Sequence, residues 1–270
     1  MIIDWIKFIL LGIVQGITEI LPISSSGHLV LFQYIFNLQQ PGLAFEMFTN
    51  MASLLAMIVL FYKDIWHLIL QTFKFIFKKD MAAKTDFLYV LKLMVAVIPI
   101  GILGLIFKDA VEDIKSLIFV GFALMVTGGL LLLIYRFRNQ SETHDEVTFK
   151  DALFIGITQS IAILPGISRS GSTIIGGLSQ KLSLKSLLKF SFLCYIIVSI
   201  PASLLSIIDL SSQTVSIDWV GYGLAFVSTL ITTYLAAYFV MKRLQIKHLL
   251  YFGIYCLSVG CIAVISHFIL

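Results

Sequence analysis

The feature that most constrains this chain is an apolar stretch, residues 12–31, that contains ionisable and hydroxyl side chains. Its polar residues and helix breakers are Gln15, Glu19, Pro22, Ser24, Ser25, Ser26, Gly27 and His28. Polar groups at membrane depth are costly and by default mark a functional site. A broken helix is tolerated there only where its backbone is buried in protein or lines a cavity. We therefore expect a re-entrant helical hairpin with a polar tip.

The composition of the chain predicts the class of protein. It is 59% hydrophobic and 13% charged, with a mean hydropathy of +1.00, as is typical of a polytopic membrane protein. Six apolar segments reach about the 20 residues that a helical crossing needs. They are 44–62, 88–107, 116–135, 187–207, 218–240 and 249–269. Two more regions, 5–36 and 151–180, are interrupted near their middles and are interpreted as re-entrant hairpins, which makes residues 1–270 one all-α membrane domain.

The charged residues between these segments predict the orientation, because Lys and Arg are enriched in cytoplasmic loops. Four basic stretches are predicted to be cytoplasmic: 63–84, 136–150, 181–189 and 242–247. The segment 108–115 carries three acidic residues against two lysines, and 209–218 has no Lys or Arg, so both are predicted to be external. One alternating topology with both termini outside accounts for every loop.

The two interrupted regions also resemble each other when residue n is placed beside residue n+144. Eight identities then fall within 12–27, and they include a Gln, two serines and two glycines. Each half, about 1–140 and 145–270, is a hairpin followed by three crossings, so the second half is inverted relative to the first. The tips 24–28 and 168–172 are expected to meet near the membrane midplane, where inverted-repeat proteins place their binding site.

Both tips have the residues of an anion site. Hydroxyls, backbone N–H groups and the positive end of a helix dipole bind phosphate. The candidate residues are Ser24, Ser25, Ser26 and Gly27 in the first tip, and Ser168, Ser170, Gly171 and Thr173 in the second. The guanidinium of Arg169 suits phosphate oxygens, and His28 can act as base, acid or nucleophile. The expected ligand is a phosphate or diphosphate, with no nucleic acid as partner.

Carboxylates and amides occur beside these tips at helical spacing. Gln15 and Glu19 share one helix face, and so do Glu46 and Asn50. A carboxylate here has two possible roles: it orients a histidine, or it holds a divalent cation that bridges to phosphate oxygens. The residues leave both roles open. A structural interpretation also stands, in which the serines serve helix packing and Arg169 neutralises Glu19 or Glu46.

The motifs QGITEILPISSSGH at 15–28 and LPGISRSGSTI at 164–174 closely resemble the two signature regions of the bacterial undecaprenyl pyrophosphate phosphatase family, also called the bacitracin-resistance protein family. The segments 45–56 and 98–107 are similar to further conserved patches of that family. The resemblance implies a phosphatase of the bacterial cell membrane, with its active site open to the outside. It would hydrolyse a C55 lipid diphosphate to the monophosphate and phosphate, and so recycle the carrier lipid for wall polymers.

The resemblance also implies roles for particular residues. The family's acidic motif falls on Gln15 and Glu19, its catalytic serine and histidine on Ser25 and His28, and its essential arginine on Arg169. It further implies a divalent cation, Mg²⁺ or Ca²⁺, for which Glu19 and Glu46 are the candidate ligands. Whether Ser25, His28 or a water attacks phosphorus stays open. Gln15 stands where many members have Glu, and 50–52 departs from the family pattern.

Two other functions compete with this interpretation. Inverted repeats with broken helices are typical of carriers, so a lipid or solute transporter or flippase is the main alternative. The Ser-Gly-His at 26–28 also occurs in type 2 phosphatidic acid phosphatases. That family needs further Lys, Arg and His motifs that this chain lacks, so we rank it well below the other two.

Overall fold

The protein is all-helical in a computed structural model, which describes residues 2–36, 42–107, 110, 114, 116–137, 143–211 and 218–269. The helices in this part of the chain are α1 (Ile2–Ile20), α2 (Ser25–Ile35), α3 (Gly42–Lys78), α4 (Lys84–Ile106), α5 (Leu117–Phe137), α6 (Phe149–Ser160), α7 (Arg169–Ser179), α8 (Leu184–Ser211), α9 (Trp219–Arg243) and α10 (His248–Ile269). Short 3₁₀ turns cover Met81–Ala83 and Ile161–Ile163. Within the same residues no β-strand is formed.

Six of these helices, α3, α4, α5, α8, α9 and α10, are long and apolar enough to cross a membrane. The sequence predicted six crossings at these places, so their number and order are confirmed for the described residues. The most buried of the six is α8, which lies at the centre of the largest apolar cluster. Leu187, Phe190 and Cys194 of α8 are fully buried there against residues of α3 and α4.

The length of α3 differs from the prediction. Its predicted crossing ended at residue 62, whereas the helix has 37 residues and ends at Lys78. At 1.5 Å per residue it is about 55 Å long, against about 30 Å for the hydrocarbon core of a bilayer. No Gly or Pro interrupts residues 43–80, so nothing in the sequence ends the helix earlier. Lys63 and Lys74 therefore lie on a helix and not in a loop.

Two pairs of short helices correspond to the interrupted regions. In the first pair, α1 and α2 are joined by residues 21–24, and in the second, α6 and α7 are joined by 161–168. Within each pair the two helices pack on one another. The second connection turns at Gly166, where φ is +92° and an added Cβ would lie 2.8 Å from the Val120 carbonyl oxygen, so there is no room for a side chain. The loops predicted to be external, 108–115 and 209–218, lie for the most part outside the described residues.

Small residues bring the two pairs against long helices of the other half of the chain. A Cβ on Gly12 of α1 would lie 2.4 Å from the Ala225 carbonyl oxygen of α9. A Cβ on Gly156 of α6 would lie 2.8 Å from the Ala96 carbonyl oxygen of α4. Close backbone approach at small residues is the usual basis of helix contacts in membranes. Gly12 and Gly156 are matched positions at the offset of 144 residues.

Candidate active site

The second helix of each tip is preceded by a serine whose side chain caps it. The Ser24 side chain accepts a hydrogen bond from the Gly27 N–H (3.3 Å), and the Ser168 side chain accepts one from the Gly171 N–H (3.1 Å). Each is an N-cap that satisfies one free amide at the positive end of a helix. The shared Ser-x-Ser-Gly spacing accounts for both caps, so the sequence repeat corresponds to the same capping hydrogen bond in both tips.

The tips contact each other through the matched serines Ser26 and Ser170. The Ser170 hydroxyl donates to the Leu21 carbonyl oxygen at 2.9 Å, and the Gly166 N–H donates to Ser26 Oγ at 3.4 Å. Thr127 of α5 accepts from the Ser168 N–H at 3.3 Å and joins the second tip to that helix. These contacts bring the two tips together as predicted, and their predicted position at the membrane midplane belongs to the arrangement proposed below.

Glu19, the penultimate residue of α1, receives hydrogen bonds from both tips. Arg169 Nη2 lies 2.5 Å from its Oε1, and Ser25 Oγ donates to its Oε2 at 2.5 Å. Gln15 Nε2 donates to the same Oε2 at 3.0 Å and also to Asn50 Oδ1 at 2.7 Å. The Glu19 side chain is only 5% exposed, so its charge depends on these partners.

Arg169 is held on three sides. One guanidinium nitrogen pairs with Glu19, and Nη1 donates to Ser199 Oγ at 3.4 Å. Its Cζ lies 4.3 Å from the centre of the Tyr195 ring, which is a cation–π contact. Sequence analysis missed Tyr195 and Ser199; their separation of four residues, two polar groups on one face of a crossing, is the signal that could have identified them.

A cavity of about 340 Å³ lies between the tips and the ends of α3, α4 and α8. The predicted residues on its wall are Glu19, Ser24, Ser25, Ser26, Glu46, Ser168, Arg169 and Ser170. Asn50, Thr18 and a rim of apolar residues complete it. The cavity-lining residues of the long helices lie near the start of α3 and near the C-terminal ends of α4 and α8. These are the helix ends that the loop charges predict to face outside.

Five of the predicted residues lie behind this wall. Thr173 bonds the Ser191 hydroxyl at 2.6 Å and the Ser170 carbonyl, while Gly27 and Gly171 give their N–H groups to the caps. Gln15 reaches the cavity only through Glu19 and Asn50. The ring of His28 does not line the cavity: Nδ1 is 2.7 Å from the Ser24 carbonyl oxygen and Nε2 is 2.8 Å from the Tyr255 hydroxyl.

The cavity wall contains oxygen ligands of the kind that Mg²⁺ and Ca²⁺ prefer. Glu19 and Glu46 both line it, and Gln15 Oε1 is buried nearby without a hydrogen-bond partner among the described residues. No group of three or more His, Cys, Asp or Glu side chains suited to a metal occurs in the described part of the chain. These residues fit a cation that shares its coordination with a phosphate ligand, as Mg²⁺ commonly does, and not a cage built by protein alone.

Comparison with known proteins shows which family this chain resembles along nearly its whole length. The model of a family described as "Bacitracin resistance protein BacA" matches residues 8–262. The chain is 40% identical to an "Undecaprenyl-diphosphatase" of Acholeplasma laidlawii, with 99% of each chain covered. It is 38% identical to an "Undecaprenyl-diphosphatase" of Oceanobacillus iheyensis, with 96% of each covered. An "Undecaprenyl-diphosphatase 1" of Bacillus cereus is also 38% identical, over 96% of this chain and 97% of its own length.

Proposed function

The chain belongs to the bacitracin resistance protein BacA family, and from this membership we infer that it is an undecaprenyl-diphosphatase. It is a hydrolase that cleaves a polyprenyl diphosphate into the monophosphate and inorganic phosphate. The similar proteins carry the name of a diphosphatase and not of a carrier, so the transporter alternative is not favoured.

The observation that best supports a mechanism is the short hydrogen bond from Ser25 to Glu19 in the cavity wall. We assign the attack on the terminal phosphorus to Ser25 Oγ, while Glu19 takes the hydroxyl proton. A Ser25–phosphorus bond forms as the bond from phosphorus to the bridging oxygen breaks, and the lipid monophosphate leaves. Water then attacks the phosphoserine, the bond from phosphorus to Ser25 Oγ breaks, and Glu19 returns its proton to Ser25 as inorganic phosphate leaves. His28 was predicted to take part in this chemistry, but its ring does not line the cavity, so the proposal gives it no proton or phosphoryl group.

Arg169 and the tip hydroxyls account for diphosphate binding in this proposal. Phosphoryl transfer depends mainly on positioning and on stabilising charge at the phosphoryl oxygens. The Arg169 guanidinium suits those oxygens, and two helix N-termini point their dipoles toward the same cavity. The hydroxyls that line it are Ser24, Ser26, Ser168 and Ser170. The cavity wall is stabilised by hydrogen bonds from four residues behind it, Gln15, Gly27, Gly171 and Thr173.

Glu19 and Glu46 both line the cavity and would hold a divalent cation together with the diphosphate. When bound, it would neutralise charge on the phosphate oxygens. Ser25 and Arg169 each bond Glu19 directly. The proposed proton transfer from Ser25 to Glu19 therefore does not involve the cation.

The substrate tail needs an apolar surface next to the cavity. A lipid-facing groove of about 350 Å³ between α1 and α9 is lined by Ile17, Leu21, Thr232, Leu235, Ala236, Phe239 and Val240. Leu21 connects the two places, because its side chain lines the groove while its carbonyl accepts from Ser170 on the cavity wall. We place the prenyl tail in this groove, in exchange with membrane lipids.

The arrangement in the membrane follows from the loop charges and the repeat. The two helix pairs are proposed to be re-entrant, inserted from opposite faces of the bacterial cell membrane, as two halves in inverted topology. The matched caps at Ser24 and Ser168 and the matched contacts of Gly12 and Gly156 support this arrangement. The position of the cavity near the predicted outer ends of α3, α4 and α8 supports an active site open to the outside.

Phosphate release by the purified protein tests this function. In detergent, with no second compartment present, the protein should release one phosphate per undecaprenyl diphosphate. Ser25→Ala should lower the rate by about 10³-fold or more, because it removes the proposed nucleophile. Ser179→Ala is the matched control, since its hydroxyl donates to the Gly176 carbonyl within α7, away from the cavity. No release by the unaltered protein, or normal release by Ser25→Ala, would contradict the proposal.

A further inference from the structure

His28 does not line the cavity, and its ring is held between two hydrogen-bond partners, Ser24 and Tyr255. Its ring is buried, Nδ1 is 2.7 Å from the Ser24 carbonyl oxygen, and Nε2 is 2.8 Å from Tyr255 Oη. A carbonyl oxygen only accepts, so Nδ1 carries the proton and a neutral ring accepts the Tyr255 O–H at Nε2. The two rings are also parallel to within 7°, with centroids 5.5 Å apart. A chain of two hydrogen bonds thus runs from α10 to the first tip.

The end of this chain of bonds is a strained peptide. Ser24 has φ +69° and ψ +101°, a conformation that L residues rarely adopt. Strain of this kind persists only where the surroundings enforce it, and it is concentrated at functional sites. The Ser24 carbonyl belongs to the same peptide unit as the Ser25 nitrogen. The group that holds this carbonyl therefore sets the direction of Ser25, whose hydroxyl meets Glu19.

The second tip provides an internal comparison. Ser168 occupies the position that matches Ser24, but its φ is −78° and its backbone is unstrained. The position that matches His28 is Ser172, and each donates its N–H to the carbonyl four residues earlier, at 3.2 Å to Ser24 and at 2.8 Å to Ser168. His28 adds a shorter side-chain bond to the same Ser24 carbonyl, at 2.7 Å. The histidine and its tyrosine partner are thus present at the strained tip and have no counterpart at the unstrained one.

We propose that Tyr255 is a positioning residue for the phosphatase reaction, which acts through His28 to hold the Ser24–Ser25 peptide so that Ser25 faces Glu19. Tyr255 lies on the last helix, 227 residues from His28 in sequence. In this role His28 neither attacks phosphorus nor transfers a proton. Its two hydrogen bonds connect Tyr255 of α10 to the Ser24 carbonyl and so fix the position of the first tip. The inference rests on the proposed function, in which Ser25 is the nucleophile.

The first test removes the tyrosine hydroxyl alone. Tyr255→Phe keeps the stacked ring but loses the bond to Nε2, so kcat should fall roughly 10- to 100-fold as Ser25 is misplaced, with KM within about twofold. Tyr251→Phe is the matched control, one turn earlier on α10, where the ring is 63% exposed and contacts that of His248. A Tyr255→Phe protein with unchanged kcat, or one altered only in KM, overturns the proposal.

The second test separates holding from chemistry at His28. The amide of His28→Asn can donate to the Ser24 carbonyl from the place of Nδ1, yet it cannot transfer a proton at neutral pH or reach Tyr255. We expect His28→Asn to be at least about tenfold more active than His28→Ala, and Tyr255→Phe to have no further effect in the Asn variant. Equal loss in both His28 variants would overturn the proposal.

The same assay separates a failure of this inference from a failure of the function. If the unaltered protein releases no phosphate from undecaprenyl diphosphate, the proposed function itself is wrong. If the unaltered protein is active and Ser25→Ala is not, while Tyr255→Phe behaves as Tyr251→Phe does, only the positioning role is wrong.

Discussion

Glu19 depends on Arg169 because a carboxylate this buried is stable only when its charge is balanced. Arg169 in turn has Tyr195 beneath it and Ser199 beside it, so the guanidinium is fixed before any phosphate arrives. Fixed donors near a reacting phosphoryl group contribute most to catalysis because they need no reorganisation. In the proposed mechanism the ion pair therefore combines a structural role with a catalytic one, the two roles that the sequence left open.

Arg169→Lys separates these two roles. It keeps a positive charge near Glu19 but loses the planar fork that reaches Glu19 and Ser199 together. We expect phosphate release to fall by roughly 10²- to 10³-fold, the usual effect of one lost charge-stabilising donor. The melting temperature should fall less than in Arg169→Ala, which leaves the Glu19 charge without its main partner. Arg136→Lys, at the exposed end of α5, is the control. Normal phosphate release by Arg169→Lys would show that the fork is not used.

The cavity residues could be predicted because their types are improbable in an apolar segment. Glu19, Ser25 and Arg169 stand out for that reason, and the structure brings them together. Tyr255 could not be predicted, since aromatic residues are ordinary in membrane crossings, and for Tyr195 the only signal was its spacing from Ser199. The direction of His28 could not be predicted either, because it depends on the φ of Ser24 and on a residue 227 positions away.

At the scale of helices, the groove between α1 and α9 exists because α1 stops at Ile20 while α9 continues to Arg243. Beyond the end of α1 no helix of the first pair covers this side of α9, and Leu235 and Phe239 are exposed there (47% and 56%). Hydropathy located every long helix but not the length of α3, because apolar composition sets a minimum span and does not mark where a helix ends.

Phe239→Ala tests whether this groove receives the substrate tail. Phe239 is 56% exposed on the groove wall, and its loss should raise KM for undecaprenyl diphosphate by roughly three- to tenfold, as expected for one lost apolar contact surface. KM for a short diphosphate such as farnesyl diphosphate should change by less than about twofold, because a short tail makes fewer of these contacts. Ile231→Ala, equally lipid-facing on α9 but outside the groove, is the control. An equal effect on both substrates would place the tail elsewhere.

At the scale of the whole molecule, two helix pairs converge on one cavity while each packs against a long helix of the opposite half. Gly12 approaches α9 and Gly156 approaches α4 in matched fashion. The offset of 144 residues could be read from the sequence because glutamine, serine and glycine recur in register. The handedness of each contact could not, since it depends on packing that no periodicity encodes. The account as a whole requires the two pairs to enter from opposite faces of the membrane.

Labelling of an introduced cysteine in intact cells tests this requirement most directly, with only the buried Cys194 and Cys256 left in the chain. In a variant whose exposed Cys261 is replaced by alanine, one cysteine is placed at Asp4, near the start of α1, or at Lys150, near the start of α6. A membrane-impermeant maleimide should label the cysteine at position 4 from outside, and the cysteine at position 150 only after the membrane is opened, with phosphate release retained in both variants. Labelling of both positions from the same side would contradict the opposite insertion of the two tips.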